Sequence, residues 1–306
     1  MTASGPTFPP GARPHRLSAG ELDAVFLPGL GMLGASLEHR GLELLRRLDD
    51  LPSAAAKGST AGIPLLHPWA NRLGGTSYRV AGRDVVLDPS SPLLHFDDRG
   101  LPIHGVAWSK LSWDVAEAAP KRLRTRLDWS RPDLLEVFPF RHELEMSVVL
   151  APEALTIAVT LNAGSGPVPV SFGFHPYLGL ADVPRSEWRL ELPAMQRLSL
   201  DQRQLPDGGE AASPAFDGAL GGRGFDDGFA LDGEGAVFAI SAGSRRMAVE
   251  LLEGYRYAQI YAPEGKDFIA FEPMTAPTNA LESGRGLTIV PPGGTYRTVF
   301  RIEVSA

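Results

Sequence analysis

The sequence predicts an all-β protein, a large antiparallel β-sandwich with few short helices. Thirty-four glycines and 27 prolines interrupt the 306 residues so often that long helices have little room. Between these breaks apolar residues recur with a period of two, the spacing of a strand with one buried face. Turns rather than helices join the runs, and parallel pairing would need crossover connections, so the sheets are expected to be antiparallel.

Taken in order, residues 1–20 read as a flexible N-terminal tail and 21–306 as a single domain, a length that one β-sandwich can fill. GLGMLG at 29–34 fits the G-x-G-x-x-G dinucleotide pattern, with Asp49 and Asp50 near the distance of a ribose-binding acid. Pro28 and Gly41 break the strand and helix that motif requires, and no βαβ alternation follows, so a turn between two strands is expected. A short helix is expected around Leu51 to Lys57 and another at Thr278 to Leu281. Strands are read in TSYRVAGRDVVL, LSWDVAEA and KRLRTRLDW, then in a hairpin whose apolar face is Leu144, Met146, Val148 and Leu150 followed by Leu155, Ile157, Val159 and Leu161. Further strands are read in EWRLELP, AVFAISAG, RMAVELLE, AQIYAP, DFIAFEP and TYRTVFRIEV.

Composition narrows the function. A formal charge of −7 without a basic cluster lacks the footprint of a nucleic-acid binder. The absence of cysteine excludes disulfides, thiolate nucleophiles and cysteine-ligated metals. No segment has the length and apolarity of a signal peptide or a membrane span, so a cytoplasmic protein with no membrane partner is expected.

Two stretches share a design suited to proton transfer. In VPVSFGFHPYLGL, a strand over 168–174 would turn Val170, Phe172 and Phe174 to the core and Ser171, Gly173 and His175 to the other side. The small residues would floor a cavity, and Pro176 would stop the strand with the imidazole at its rim. In DFIAFEPMTAPTNAL, Phe268, Ala270 and Glu272 share one face, Ile269 and Phe271 the other, and Pro273 would end the strand. Burial among apolar residues would raise the Glu272 pKa and suit it to act as a base. Taken alone, each residue fits a structural role equally well.

Three weaker stretches accompany them. GIPLLHPWANRLGG offers Trp69 to stack on a pyranose and Asn71 and Arg72 to bind hydroxyls. LPIHGVAWSK sets His104 before a glycine that permits close backbone approach. RGFDDGFAL supplies acids that accept hydrogen bonds. HFDDRG at 95–100 reads as a solvated loop, and His15, His39, His67, His95 and His142 as surface, loop or structural residues.

In this order PWANR, IHG, SFGFHPY, FDDGF and FEPMTAPTNA resemble the aldose 1-epimerase (mutarotase) family over about residues 25–303. The resemblance implies a galactose-mutarotase-type sandwich that acts on an aldohexose without metal or cofactor. It implies that His175 is the acid for the ring oxygen and Glu272 the base for the anomeric hydroxyl, with His104 near the ring oxygen. Arg72 and Asn71 would hold the sugar and orient Glu272, Asp226 rather than Asp227 would accept from the sugar's hydroxyls, and Trp69 and Tyr177 would complete the pocket. PWANRLGG and FDDGF depart from the family's commonest forms, so the sugar is not carried over. The protein is expected to be a monomer or homodimer. Alternatives are a hexose-6-phosphate mutarotase using Arg79, Arg83, Arg99 or Arg141, a non-catalytic carbohydrate-binding sandwich, a glycosidase with paired carboxylates, and a metal site at His104, His175 and Glu272.

Overall fold

The computed structural model describes residues 8–9, 11–47, 50–56, 59–180 and 182–305. Two large sheets dominate. The first has nine strands in the order Asp114–Ala119, Arg122–Trp129, His142–Ala151, Ala154–Ala163, Thr295–Ser305, Arg245–Glu253, Ala236–Ala242, Arg189–Leu192 and Phe216–Ala219. The second has eight: Pro206–Ser213, Met195–Leu200, Phe225–Ala230, Tyr257–Ala262, Ile269–Met274, Gly173–Phe174 and Leu65–Leu66, with Tyr177–Leu178 beside Ile269–Met274. All strand pairs within these sheets are antiparallel, as the short turns require.

The hairpin at its centre follows from alternation. Leu144 pairs Leu161, Met146 pairs Val159 and Val148 pairs Ile157, and all six are fully buried between the sheets. Burial of this kind stabilises the fold by roughly 1.5–3 kcal/mol for each large aliphatic side chain. Two aromatic pairs bridge the layers: Phe271 meets Phe238 at 5.5 Å and Phe174 meets Phe300 at 5.0 Å. The core-facing side of the eight-stranded sheet is thereby settled. Glu272, which alternates with Phe271, faces away from the core.

Several expectations change. The tail is shorter than 1–20, because His15–Ala19 pairs with Leu22–Leu27, burying Leu17 and Ala19; residues 1–7 and 10 lie outside the described residues. GLGMLG is a turn, and its glycines serve packing: a Cβ on Gly29 would lie 1.8 Å from the Gly11 carbonyl oxygen and one on Gly31 2.3 Å from that of Trp108. Of the two acids, Asp49 lies outside the described residues, and Asp50 accepts the Ser53 amide ahead of the helix Leu51–Ala56; Lys57 also lies outside. The later helix runs Ala280–Ser283 rather than 278–281.

The stretch 168–174 is two strands in different sheets. Val168–Val170 pairs with Thr288–Val290, whereas Gly173–Phe174 joins the eight-stranded sheet. Nor does Pro273 end its strand, which continues to Met274. A helix at Pro132–Val137 was not anticipated, although Pro132 at its first turn and Asp133 beside it are ordinary start signals.

Candidate active site

The outer face of the eight-stranded sheet carries a cavity of about 230 Å³ lined by Asn71, Arg72, Ile103, His104, His175, Tyr177, Asp226, Tyr261 and Glu272. Neighbouring strands set three of these side by side. Asp226 pairs in register with Tyr261, and Gln259 with Glu272, so alternate residues of adjacent strands point one way.

His175 follows the end of Gly173–Phe174, and its amide donates to the Pro64 carbonyl at 3.1 Å. Its Nε2 lies 3.2 Å from Glu272 Oε1, and both side chains are buried, 5% and 2% exposed. The imidazole therefore stands at the end of its strand, as expected, and is buried there. Nδ1 of His175 and Oε2 of Glu272 are both buried and have no hydrogen-bond partner among the described residues. Tyr177 stacks on the imidazole at 4.1 Å with planes 12° apart, and its hydroxyl meets Thr60. That stack fixes the ring plane.

Burial pushes the Glu272 carboxyl well above the usual carboxylate range; Asp226 adds to the rise and Arg72 opposes it. Burial also holds His175 well below the ordinary imidazole value, helped by His104. Both groups favour their neutral forms, because burial leaves either charge poorly solvated. His104 is held down to about 3 by burial, then by the charges of Arg72 and His95.

His104 reaches the cavity through its backbone. It has φ 63° and Gly105 φ 67°, and a Cβ on Gly105 would lie 2.4 Å from the His67 carbonyl oxygen. The close approach expected of that glycine is thus made to the strand beside it. The His104 amide donates to the Asn71 carbonyl at 2.8 Å, tying the IHG and PWANR segments together. Asn71 Oδ1 accepts from the Arg72 amide at 2.9 Å, and Arg72 Nε donates to Asp97 Oδ2 at 2.6 Å. Asp97 was read as a solvated loop residue; its side chain is 8% exposed.

Asp226 and Asp227 part company, as alternation demands. Asp226 lines the cavity and accepts from Gln259 Nε2 at 2.7 Å, whereas Asp227 pairs with Arg197 at 2.5 Å outside it. Trp69 is a correction. It is 1% exposed, packs edge-on to Tyr78 at 6.4 Å and does not line the cavity, so no sugar face can reach it. Ser171 and Gly173 do not floor the cavity either. The Ser171 carbonyl accepts the Ala70 amide at 2.7 Å, and a Cβ on Gly173 would lie 2.5 Å from the Pro273 carbonyl oxygen. Their smallness admits neighbouring backbone, not a ligand.

Residues that sequence reasoning missed are Ile103, Tyr261, Gln259 and Asp97. Tyr261 could have been found from alternation with Gln259 on the AQIYAP strand; Asp97 carries no such signal. None of Arg79, Arg83, Arg99 and Arg141 lines the cavity, and Arg79 is paired with Asp84 on an exposed hairpin. Among the described residues no group of three or more His, Asp or Glu is arranged to hold a metal ion, and no helix is long and apolar enough to cross a membrane.

Comparisons with known proteins bear on the family and the fold. The chain is 24% identical over 302 residues to the uncharacterized protein YihR of Escherichia coli K12, covering 94% of this chain and 91% of that one. The structure of Slr1438 from Synechocystis superposes with a TM-score of 0.79 at 25% identity, covering 100% and 99% of the two chains. A galactose mutarotase-like protein from Clostridium acetobutylicum superposes with a TM-score of 0.81 at 19% identity over 94% of each, which shows the shared fold. The aldose 1-epimerase family model matches residues 33–303, nearly the whole sandwich, and the chain belongs to that family.

Proposed function

We propose that this protein interconverts the α and β anomers of a free aldose. The observation that carries the reading is the contact of His175 and Glu272, 3.2 Å apart, both buried and each with one unpartnered polar atom at a small polar cavity. Mutarotation requires one proton to leave the anomeric hydroxyl and one to reach the ring oxygen. In the proposed step the pair's one proton crosses the 3.2 Å contact from Glu272 to His175 once the sugar hydroxyls solvate the charges. The Glu272 carboxylate takes the proton from O1, the electron pair forms the C1 carbonyl, the C1–O5 bond breaks, and the His175 imidazolium gives its proton to O5. Rotation about C1–C2 and the reverse transfers close the other anomer. The pair ends each cycle with the proton it began with, so no net charge is created and no co-reactant is consumed.

His104, with its pKa about 3, stays neutral and can only share hydrogen bonds with the sugar oxygens. Arg72, Asn71 and Asp226 hold the hydroxyls, and Tyr177 keeps the His175 ring in plane. Pockets for drug-sized ligands span about 300–1,000 Å³, so a cavity of about 230 Å³ favours a single sugar ring over an oligosaccharide.

Polarimetry of freshly dissolved α-D-glucose and α-D-galactose tests the reading. The protein should accelerate the drift to equilibrium, and His175→Asn and Glu272→Gln should each lose about 10²–10⁴-fold in rate. No acceleration with any aldose sinks the enzyme reading, and full activity in Glu272→Gln removes its base. Glucose 6-phosphate, run in parallel, is expected to be no better a substrate than glucose.

A further inference from the structure

Asp97 carries no proton in mutarotation, yet it grips an arginine that faces the cavity. Its Oδ2 accepts from Arg72 Nε at 2.6 Å, while Oδ1 accepts from the amides of Arg99 and Leu101, each at 2.9 Å. Those two amides fix the carboxylate in its turn, so the guanidinium is tied to rigid backbone. Burial alone would raise the Asp97 carboxyl, but the hydrogen bonds from Arg72, Leu101 and Arg99 and the charge of Arg72 outweigh it and hold the pKa below the usual value. Asn71 Oδ1 takes Arg72 Nη1 at 3.3 Å, and Nη2 has no hydrogen-bond partner among the described residues.

Arg72 is near enough to Glu272 for its charge to act there, yet it pairs with Asp97 and not with Glu272. An untethered guanidinium would be free to turn to the Glu272 carboxyl, whose buried Oε2 has no hydrogen-bond partner among the described residues, and a charge-assisted pair would form. We propose that Asp97 is a positioning residue: by gripping Nε it holds Arg72 off Glu272, so that Oε2 stays free and Nη2 stays available to a substrate oxygen. The sugar half of this rests on the mutarotase reading; the hold on Arg72 does not.

The decisive readout is the titration of the Glu272 carboxyl by ¹³C NMR, assigned by its loss in Glu272→Gln. The other titratable groups lining the cavity with Glu272 are His104, His175, Tyr177, Tyr261 and Asp226, and all are retained in the variants. In Asp97→Ser, where the hydroxyl can still cap the turn but cannot reach Arg72, the Glu272 midpoint should fall by about one pH unit or more. With an aldose, KM should rise and the alkaline limb of the rate profile should move down by the same interval. In an Arg72→Met background, Asp97→Ser should shift nothing further. An unmoved midpoint in Asp97→Ser, or an equal fall without Arg72, overturns the proposal. If Asp97→Ser does not fold, the milder Asp97→Asn must lower the midpoint as well, and a midpoint that stays put there overturns it too. Absence of mutarotation in the parent would sink the proposed function while leaving the carboxyl titration to judge Asp97.

Discussion

His175 and Glu272 act on each other through proximity, so their protonation belongs to the pair. Burial depresses the imidazole and raises the carboxyl, and one proton is therefore shared over a wide pH interval. On the acid side the pair gains a second proton only when His175 charges, which its depressed pKa delays to pH below 6.5. On the alkaline side the last proton leaves only when Glu272 ionises, above the ordinary 4.5. The one-proton form is the competent one, since it holds a donor and an acceptor together. At pH 5.5, where a free imidazole would already be mostly charged, the rate should accordingly stay within about twofold of that at pH 7. A pH–rate profile whose acid limb is centred at or above pH 6.5 would contradict this. Tyr177 adds a geometric condition, because its ring, 4.1 Å from the imidazole, stops His175 from turning. Tyr177→Phe should keep most of the activity, whereas Tyr177→Ala should lose about 10²-fold in kcat through misorientation.

At the scale of the element, the site depends on how closely two strands approach. Gly173 sits opposite Met274, and the carbonyl of Pro273 occupies the space its Cβ would need. Gly173→Ala must push Gly173–Phe174, which His175 follows, away from Ile269–Met274, which carries Glu272. We expect a loss of about 10²-fold in kcat for a displacement near 1 Å, with destabilisation of about 1–3 kcal/mol from overpacking. Steady-state kinetics beside urea unfolding would check it, and an unchanged kcat would show that the strand spacing does not set the pair. The same strands show what the chain discloses locally. Alternation identified Glu272 and His175 as facing away from Phe271 and Phe174, because side-chain direction in a strand is fixed by the backbone alone. It could not say what occupies the space beside a small residue, so Ser171 and Gly173 were read as cavity floor when they adjoin backbone. Trp69 was misplaced for a related reason: composition suggests a sugar platform, but only the packing of Tyr78 beside it decides that the ring is enclosed. Asp97 was invisible because its partner Arg72 is 25 residues away and the turn HFDDRG resembles any exposed acidic loop.

Across the molecule, burial holds four imidazoles among the described residues far below their ordinary pKa. His104 and His175 lie at the cavity, while His67 and His142 meet behind it with Nε2 atoms 3.0 Å apart, enclosed by Trp129, Phe138 and Phe172. The Phe140 carbonyl, 2.6 Å from His142 Nδ1, can only accept, so Nδ1–H donates to it and His142 Nε2 accepts from His67 Nε2–H. A further proton on His142 Nε2 would set two N–H groups against each other. Burial holds His142 down to about 4 and His67 well below its ordinary value, with the neighbouring imidazole assisting the latter. The sign follows from linkage: these histidines bind protons near pH 6.5 when unfolded and much lower when folded, so stability falls as pH drops below 6.5. Glu272 works in the opposite sense, since its raised folded pKa lets the native state hold a proton that the unfolded chain has released above 4.5. Four histidines against one glutamate leave a net uptake on unfolding of about one proton at pH 6.5, rising to about three near pH 5, or about 1.4 to 4 kcal/mol per pH unit at ~1.4 kcal/mol per proton. Urea unfolding at pH 6.5, 6.0 and 5.5 should reveal that slope. His67→Gln, whose side-chain amide can still donate to His142, should lower it by about one proton, and an unchanged slope would mean that the buried imidazole pair is not the acid-sensitive element of the core.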